Sequence, residues 1–125
     1  MGDRASILLH LEGAGQPDTD LVLYSHWGGE EYLTQDLAAA LEEARPRWDD
    51  ESYFNRILVD QLFRSMRDSE TGAGIGLDLP GDNEHDIVRV VRATQQVYVY
   101  KRMDRGLRSP IATYSFDDYI TKYGG

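Results

Sequence analysis

Apolar and polar residues alternate at the start of the chain and then recur with a helical period. The alternation in residues 4–11 predicts a strand that pairs with residues 20–26 across a loop of turn-forming residues. Leucines at four-residue spacing then predict a helix from about residue 29 to residue 44. A second helix is predicted within "RWDDESYFNRILVDQLFRSMR", where Asp49 or Asp50 provides a capping side chain.

The second half of the chain predicts further strands and a terminal helix. "IGLDL" is a short strand candidate inside a glycine-rich segment, and "DIVRVV" and "VYVYKR" predict a hairpin. "SPIATYS" adds a strand candidate, and Ser115, three residues before Asp118, is typical of a helix start. The order β-β-α-α-(β)-β-β-β-α, in which the bracketed strand is "IGLDL", predicts one α+β domain over residues 1–125, with a mostly antiparallel sheet, two central helices and a C-terminal helix.

Charge and composition narrow the function. The formal net charge of -9 disfavours binding to nucleic acid phosphates. An acidic chain with only two lysines is also typical of a salt-adapted (halophilic) protein or of a GC-rich genome. No apolar run is long enough for a membrane span, the N-terminal residues lack the pattern of a signal peptide, and there is no cysteine. We therefore expect an intracellular location, with no membrane partner.

"LYSHWGG", at the end of the second strand, is the first candidate site. His26 offers an imidazole, Trp27 offers a flat surface, and Gly28 and Gly29 would leave helix N-terminal amides open to an anion. The alternative is architectural, with a buried tryptophan and two glycines that only turn the chain. Both interpretations are open at this point.

Two further segments carry candidate chemistry. The glycines of "ETGAGIG" would form a backbone nest for an anion or only a turn, and the spacing is not that of a dinucleotide-binding loop. "DNEHD" contains potential metal ligands, but its spacing matches no known metal motif, and a solvated acidic turn is the simpler interpretation. No cofactor and no metal site are predicted. Ser25 beside His26 is adjacency rather than a triad, so a non-enzymatic role is favoured.

Four motifs occur together in one order: "LYSHWGG", "RWDDESYFNRI", "ETGAGIG" and "DNEHDIVRV". Over about residues 1–100 the chain thereby resembles a group of small proteins encoded in phage, prophage and prokaryotic genomes. The resemblance implies a viral or mobile-element accessory protein, located in the host cytoplasm or in a virion, and implies no mechanism. Members typically have an aromatic residue where this chain has Ala73.

The resemblance also implies one shared site, made of the residues that match its motifs. We expect these segments to converge at one edge of the sheet, with Arg56 paired to Asp49 or Glu70 or bound to an anion of the ligand. The residues are His26, Trp27, Gly28, Gly29, Trp48, Asp49, Tyr53, Arg56, Glu70, Thr71, Gly72 and Gly74.

Three functions are consistent with the sequence. The first is a non-enzymatic binding module for a small anionic molecule or a host or viral protein. The second is a virion structural or assembly protein, a homo-oligomer with an exposed sheet edge or an apolar patch that includes Tyr98, Tyr100, Tyr114 and Tyr119. The third is a hydrolase whose metal ion is held by His26 and acidic residues.

Overall fold

The computed structural model describes residues 4–12, 19–66, 71–77, 85–104 and 106–124, and within these ranges six strands form one mixed sheet. The strands are β1 (Ala5–Leu11), β2 (Thr19–Ser25), β3 (Ala73–Leu77), β4 (Ile87–Val91), β5 (Gln96–Tyr100) and β6 (Ala112–Ser115). Their order is β3-β2-β1-β4-β5-β6, in which β1 and β4 are parallel and all other neighbours are antiparallel. The predicted α+β class with a mostly antiparallel sheet is confirmed.

The first predicted helix is a helical run in three parts, α1 (Gly29–Glu31), a π-helical turn (Tyr32–Asp36) and α2 (Leu37–Glu43). The second predicted helix is α3 (Glu51–Leu62). A short 3-10 turn precedes it (Arg45–Arg47) and another follows it (Arg64–Met66). The terminal helix is α4 (Phe116–Tyr123).

The helices cover one face of the sheet. The alternate residues Ile7 and Leu9 of β1 point into the main core with Leu41 and Leu58 of the helices, and all four are fully buried. A smaller cluster, built around Leu8 and Tyr100, occupies the opposite face. Both faces of the central strands are therefore buried, and the functional surfaces lie at the edge strands and at the ends of the sheet.

Element boundaries agree closely with the sequence pattern where local chemistry sets them. The Ser115 hydroxyl accepts a hydrogen bond from the Asp118 amide at 3.0 Å, as expected for the start of α4. The predicted strand "IGLDL" is instead β3, which begins two residues earlier. In the described ranges, no helix is both long and apolar enough to span a bilayer.

Candidate functional site

The His26 corner lies at the end of β2 and joins it to the start of β3. The His26 amide donates to the Gly72 carbonyl at 2.8 Å, and Nδ1 of His26 lies 3.0 Å from the Tyr24 hydroxyl. The indole of Trp27 meets the imidazole edge-on, with ring centroids 4.5 Å apart, and is 60% exposed. The tryptophan is therefore not the buried residue of the architectural interpretation, and its free surface is available to a partner.

Both glycines of the corner are explained by the fold. A Cβ on Gly28 would lie 2.6 Å from Ser25 Oγ and 2.6 Å from Tyr32 Cβ, closer than real side chains approach. Gly29 has φ of 56°, the left-handed region that glycine adopts without strain. These residues turn the chain from β2 into α1.

The charge at this corner disfavours an anionic ligand. The Gly28 amide already donates to Ser25 Oγ at 2.9 Å. Glu30 and Glu31 occupy the first turn of α1, so negative charge is already present where the helix dipole favours it. These two carboxylates would repel an anionic ligand.

Trp48 and Asp49 lie at the opposite end of the sheet. Trp48 is buried, and its indole donates to the Leu41 carbonyl at 2.9 Å. Asp49 accepts from Gln95, in the turn between β4 and β5, at 3.3 Å. Since β1 runs between the two ends and has seven residues, the ends are about 20 Å apart at about 3.3 Å per residue.

The structure therefore does not bring the predicted site together. Tyr53 is exposed beneath the guanidinium of Arg47, and Arg56 is exposed on α3. Arg56 was expected to pair with Asp49 or Glu70 or to bind an anion, and Asp49 hydrogen-bonds instead to Gln95. Glu70 lies outside the described residues. Among the predicted site residues that the structure describes, only those of the corner, with Thr71, Gly72 and the start of β3, share one location.

The outer edge of β3 is open in the part of the chain that the structure describes. His26 and Gly72 are directly opposite each other and hydrogen-bonded. From that point, every second pair of opposite residues along β2 and β3 is hydrogen-bonded. The backbone N–H and C=O groups of Gly74 and Gly76 therefore form hydrogen bonds with β2. Residues 73, 75 and 77 instead point their N–H and C=O groups away from it.

Two large apolar side chains stand on this edge strand. Ile75 is 58% exposed and Leu77 is 66% exposed, although both lie on the sheet face that the helices cover elsewhere. The five residues of β3 carry no charge and no proline, the usual devices that protect a sheet edge. β3 is thus an apolar strand with unused hydrogen-bonding capacity.

The two described residues of "DNEHD" line a cleft. His85 and Asp86 line a cleft of about 370 Å³ between the first helical run, β4, β5 and α4. Among the described residues, no group of three or more His, Asp or Glu side chains is placed to hold a metal ion. Residues 82–84 of the motif lie outside the described ranges.

A polar cluster on the helix-free face of the sheet was missed from the sequence. Nδ1 of His10 lies 3.1 Å from Asp20 Oδ1 and 3.0 Å from Nη2 of Arg89, and Nε of Arg89 donates to Asp20 at 3.2 Å. The three side chains are between 11% and 25% exposed. The signal was present, because His10 and Asp20 are directly opposite each other in the predicted hairpin.

No family model matches the chain, and neither the curated proteins nor the solved structures provide a match. Function is therefore inferred from the geometry of these surfaces.

Proposed function

We propose that this protein is a non-enzymatic binding module that adds an extended segment of a partner protein to the free edge of β3. The observation that carries the proposal is the alternation fixed by His26 and Gly72. It leaves the backbone groups of residues 73, 75 and 77 facing away from the sheet. An extended polypeptide would satisfy them by continuing the ladder, which is how exposed sheet edges recognise peptides.

The side chains of β3 support a protein rather than a small anionic molecule as the partner. Ile75 and Leu77 offer apolar surface for alternate residues of an added strand. Gly74 and Gly76 leave the other face of the strand bare, which allows another chain to approach closely. The net charge of -9 favours a partner segment with basic residues flanking an apolar stretch.

β6, at the other edge of the sheet, is less suited to pair with a partner strand. β6 is four residues long, includes Thr113 and Ser115, and leads directly into α4. Short polar edges of this kind are poor templates for pairing. We assign the binding role to β3 for this reason. That the protein is a viral or mobile-element accessory factor, acting in the host cytoplasm or in a virion, stays a prediction from the motif resemblance.

Affinity capture with matched variants tests the proposal. The double variant Ile75→Lys/Leu77→Lys places charge on the edge, whereas Ile111→Lys changes an apolar residue that is 50% exposed outside β3. We expect wild type and Ile111→Lys to retain the same partner from a host lysate and the β3 variant to lose it. Recovery of that partner by all three proteins would overturn the proposal, provided that circular dichroism shows all three folded.

Self-assembly is a second candidate because β3 is suited to pair with itself. In an antiparallel pair centred on Ile75, the outward groups of Ala73 would face those of Leu77 in the second copy. Sedimentation of the purified protein distinguishes this candidate. A dimer that Ile75→Lys/Leu77→Lys dissociates supports assembly through β3, whereas a monomer at all concentrations leaves the partner segment as the only occupant proposed.

A further inference from the structure

The cleft beside α4 has the size of a ligand site. Its volume of about 370 Å³ falls within the usual range for small-molecule pockets, about 300–1,000 Å³. Leu33, Val88 and Val99 form apolar parts of its lining. These residues come from the π-helical turn, β4 and β5, so the lining is supplied by the sheet and by the helices packed on it.

Two tyrosines provide aromatic surface in the cleft. The rings of Tyr119 and Tyr123 are 4.7 Å apart, and the Tyr119 hydroxyl donates to the Leu33 carbonyl, which fixes its ring. The ammonium of Lys122 lies 5.6 Å from the centroid of Tyr123. This ring therefore already accepts a cation from the protein itself, at the distance typical of a cation–π contact.

Two carboxylates line the cleft. Glu30 and Asp86 are exposed and line the cleft, and Asp86 is held by the Arg102 amide, which donates to it at 3.3 Å. Burial raises the pKa of Tyr123, and its hydrogen bond with Tyr114 and the charges of Tyr114 and Glu30 raise it further. The negative charge of Glu30 therefore acts on Tyr123, one of the two tyrosines that line the cleft. Of the described residues that line the cleft, none is lysine or arginine.

We propose that this cleft binds an aliphatic cation, a guanidinium or ammonium group on an alkyl chain. The alkyl chain would lie on Leu33, Val88 and Val99, while the cationic group would lie between the tyrosine rings and the carboxylates of Glu30 and Asp86. Charge attraction and cation–π contact act on the same group. The site is separate from the β3 edge and does not depend on the proposed function.

Calorimetric titration with agmatine tests the site. The titration is done at about pH 8, where histidine is ordinarily neutral, since His85 also lines the cleft. Agmatine carries a free ammonium group as well as a guanidinium, whereas N-acetylarginine amide presents only the guanidinium, as a peptide does. Uncharged butanol serves as the control. Saturable binding of either cation without binding of butanol supports the proposal. The cation with the higher affinity shows whether the natural ligand is a free alkyl amine or an arginine side chain of a peptide. Equal binding of butanol, or no binding of either cation, overturns it.

Matched charge variants locate the site. Glu30→Gln and Asp86→Asn each remove one carboxylate from the cleft, whereas Glu43→Gln removes one exposed carboxylate from α2. We expect affinity for the tighter cation to fall about fivefold in each cleft variant and to stay unchanged in Glu43→Gln. Amide NMR shifts should move around Leu33 and Val99. Equal weakening in all three variants, or shifts confined to other surfaces, would show non-specific attraction and overturn the proposal.

Discussion

The backbone amide of His26 donates to the carbonyl of Gly72 at 2.8 Å, and this bond sets the hydrogen-bonding phase of β3. Because paired residues alternate along an antiparallel ladder, the residues opposite Tyr24 and Val22 bond inward and their neighbours face outward. The corner "HWGG" therefore has an architectural function that determines which groups of the edge strand a partner can reach.

Gly28→Ala should destabilise the protein strongly. Its Cβ would lie 2.6 Å from both Ser25 Oγ and Tyr32 Cβ, and overpacking of this kind costs about 1–3 kcal/mol. Gly74→Ala is the control, because its Cβ would meet only Tyr24, at an ordinary 3.9 Å. Urea unfolding should give a lower midpoint for Gly28→Ala and an unchanged or higher one for Gly74→Ala. Equal midpoints would contradict the corner geometry.

The cluster of His10, Asp20 and Arg89 should behave as a coupled unit. Removing one member leaves a poorly solvated charge, so Asp20→Asn or Arg89→Met should each lower the free energy of unfolding by about 2 kcal/mol. The double variant should lose clearly less than the sum of the two. A double-mutant cycle by denaturant unfolding measures this coupling. Strict additivity would show that the contacts contribute nothing jointly.

Alkaline pH should destabilise the fold through its buried tyrosines. Burial raises the pKa of Tyr32 above its ordinary value of about 10, and the charge of Asp36 raises it further. Stability linked to a raised pKa is fully present below about pH 10 and is lost as the pH rises above it. The free energy of unfolding should therefore fall above that pH.

Tyr32→Phe isolates this effect. The variant loses the hydrogen bond from the Tyr32 hydroxyl to the Leu23 carbonyl, 3.1 Å long, at a cost of about 1 kcal/mol at neutral pH. In exchange, its stability should fall less steeply than that of wild type above about pH 10. Parallel curves for the two proteins would show that Tyr32 is not the titrating group.

Asp36→Asn should stabilise the protein slightly at neutral pH. Partial burial raises the pKa of Asp36, and the charge of Glu31 raises it further, so the folded state disfavours the ionised carboxyl. We expect a gain of a few tenths of a kcal/mol, comparable to the relief of a like-charge pair on a helix. The gain should disappear as the pH falls below about 3.9, where the unfolded carboxyl also binds its proton. A gain that persists in acid would contradict this cause.

Local patterns predicted most of the fold. Alternation in β1 and β2, helical periodicity around Leu37 and Leu41, and the cap at Ser115 are properties of neighbouring residues, and the elements they predict are present. The parallel pairing of β1 with β4 was not predicted, because it joins segments about 80 residues apart and no local signal specifies it.

The candidate site was less predictable because it depends on how the elements are arranged. The motifs containing His26 and Trp48 were expected to meet, but the length of β1 separates them. The exposure of Ile75 depends on β3 lying at the edge of the sheet, which its own sequence does not reveal. The meeting of Asp86 with Tyr119 in one cleft likewise requires the packing of α4.

Amide hydrogen exchange along β3 tests the central claim most directly. In the free protein, the amides of Ala73, Ile75 and Leu77 should exchange fast, whereas those of Gly74 and Gly76, which bond to β2, should be protected. In complex with the partner captured by wild type, all five should be protected. Slow exchange of the outward amides in the free protein, or no added protection in the complex, would contradict the claim that β3 is a free edge that binds a partner strand.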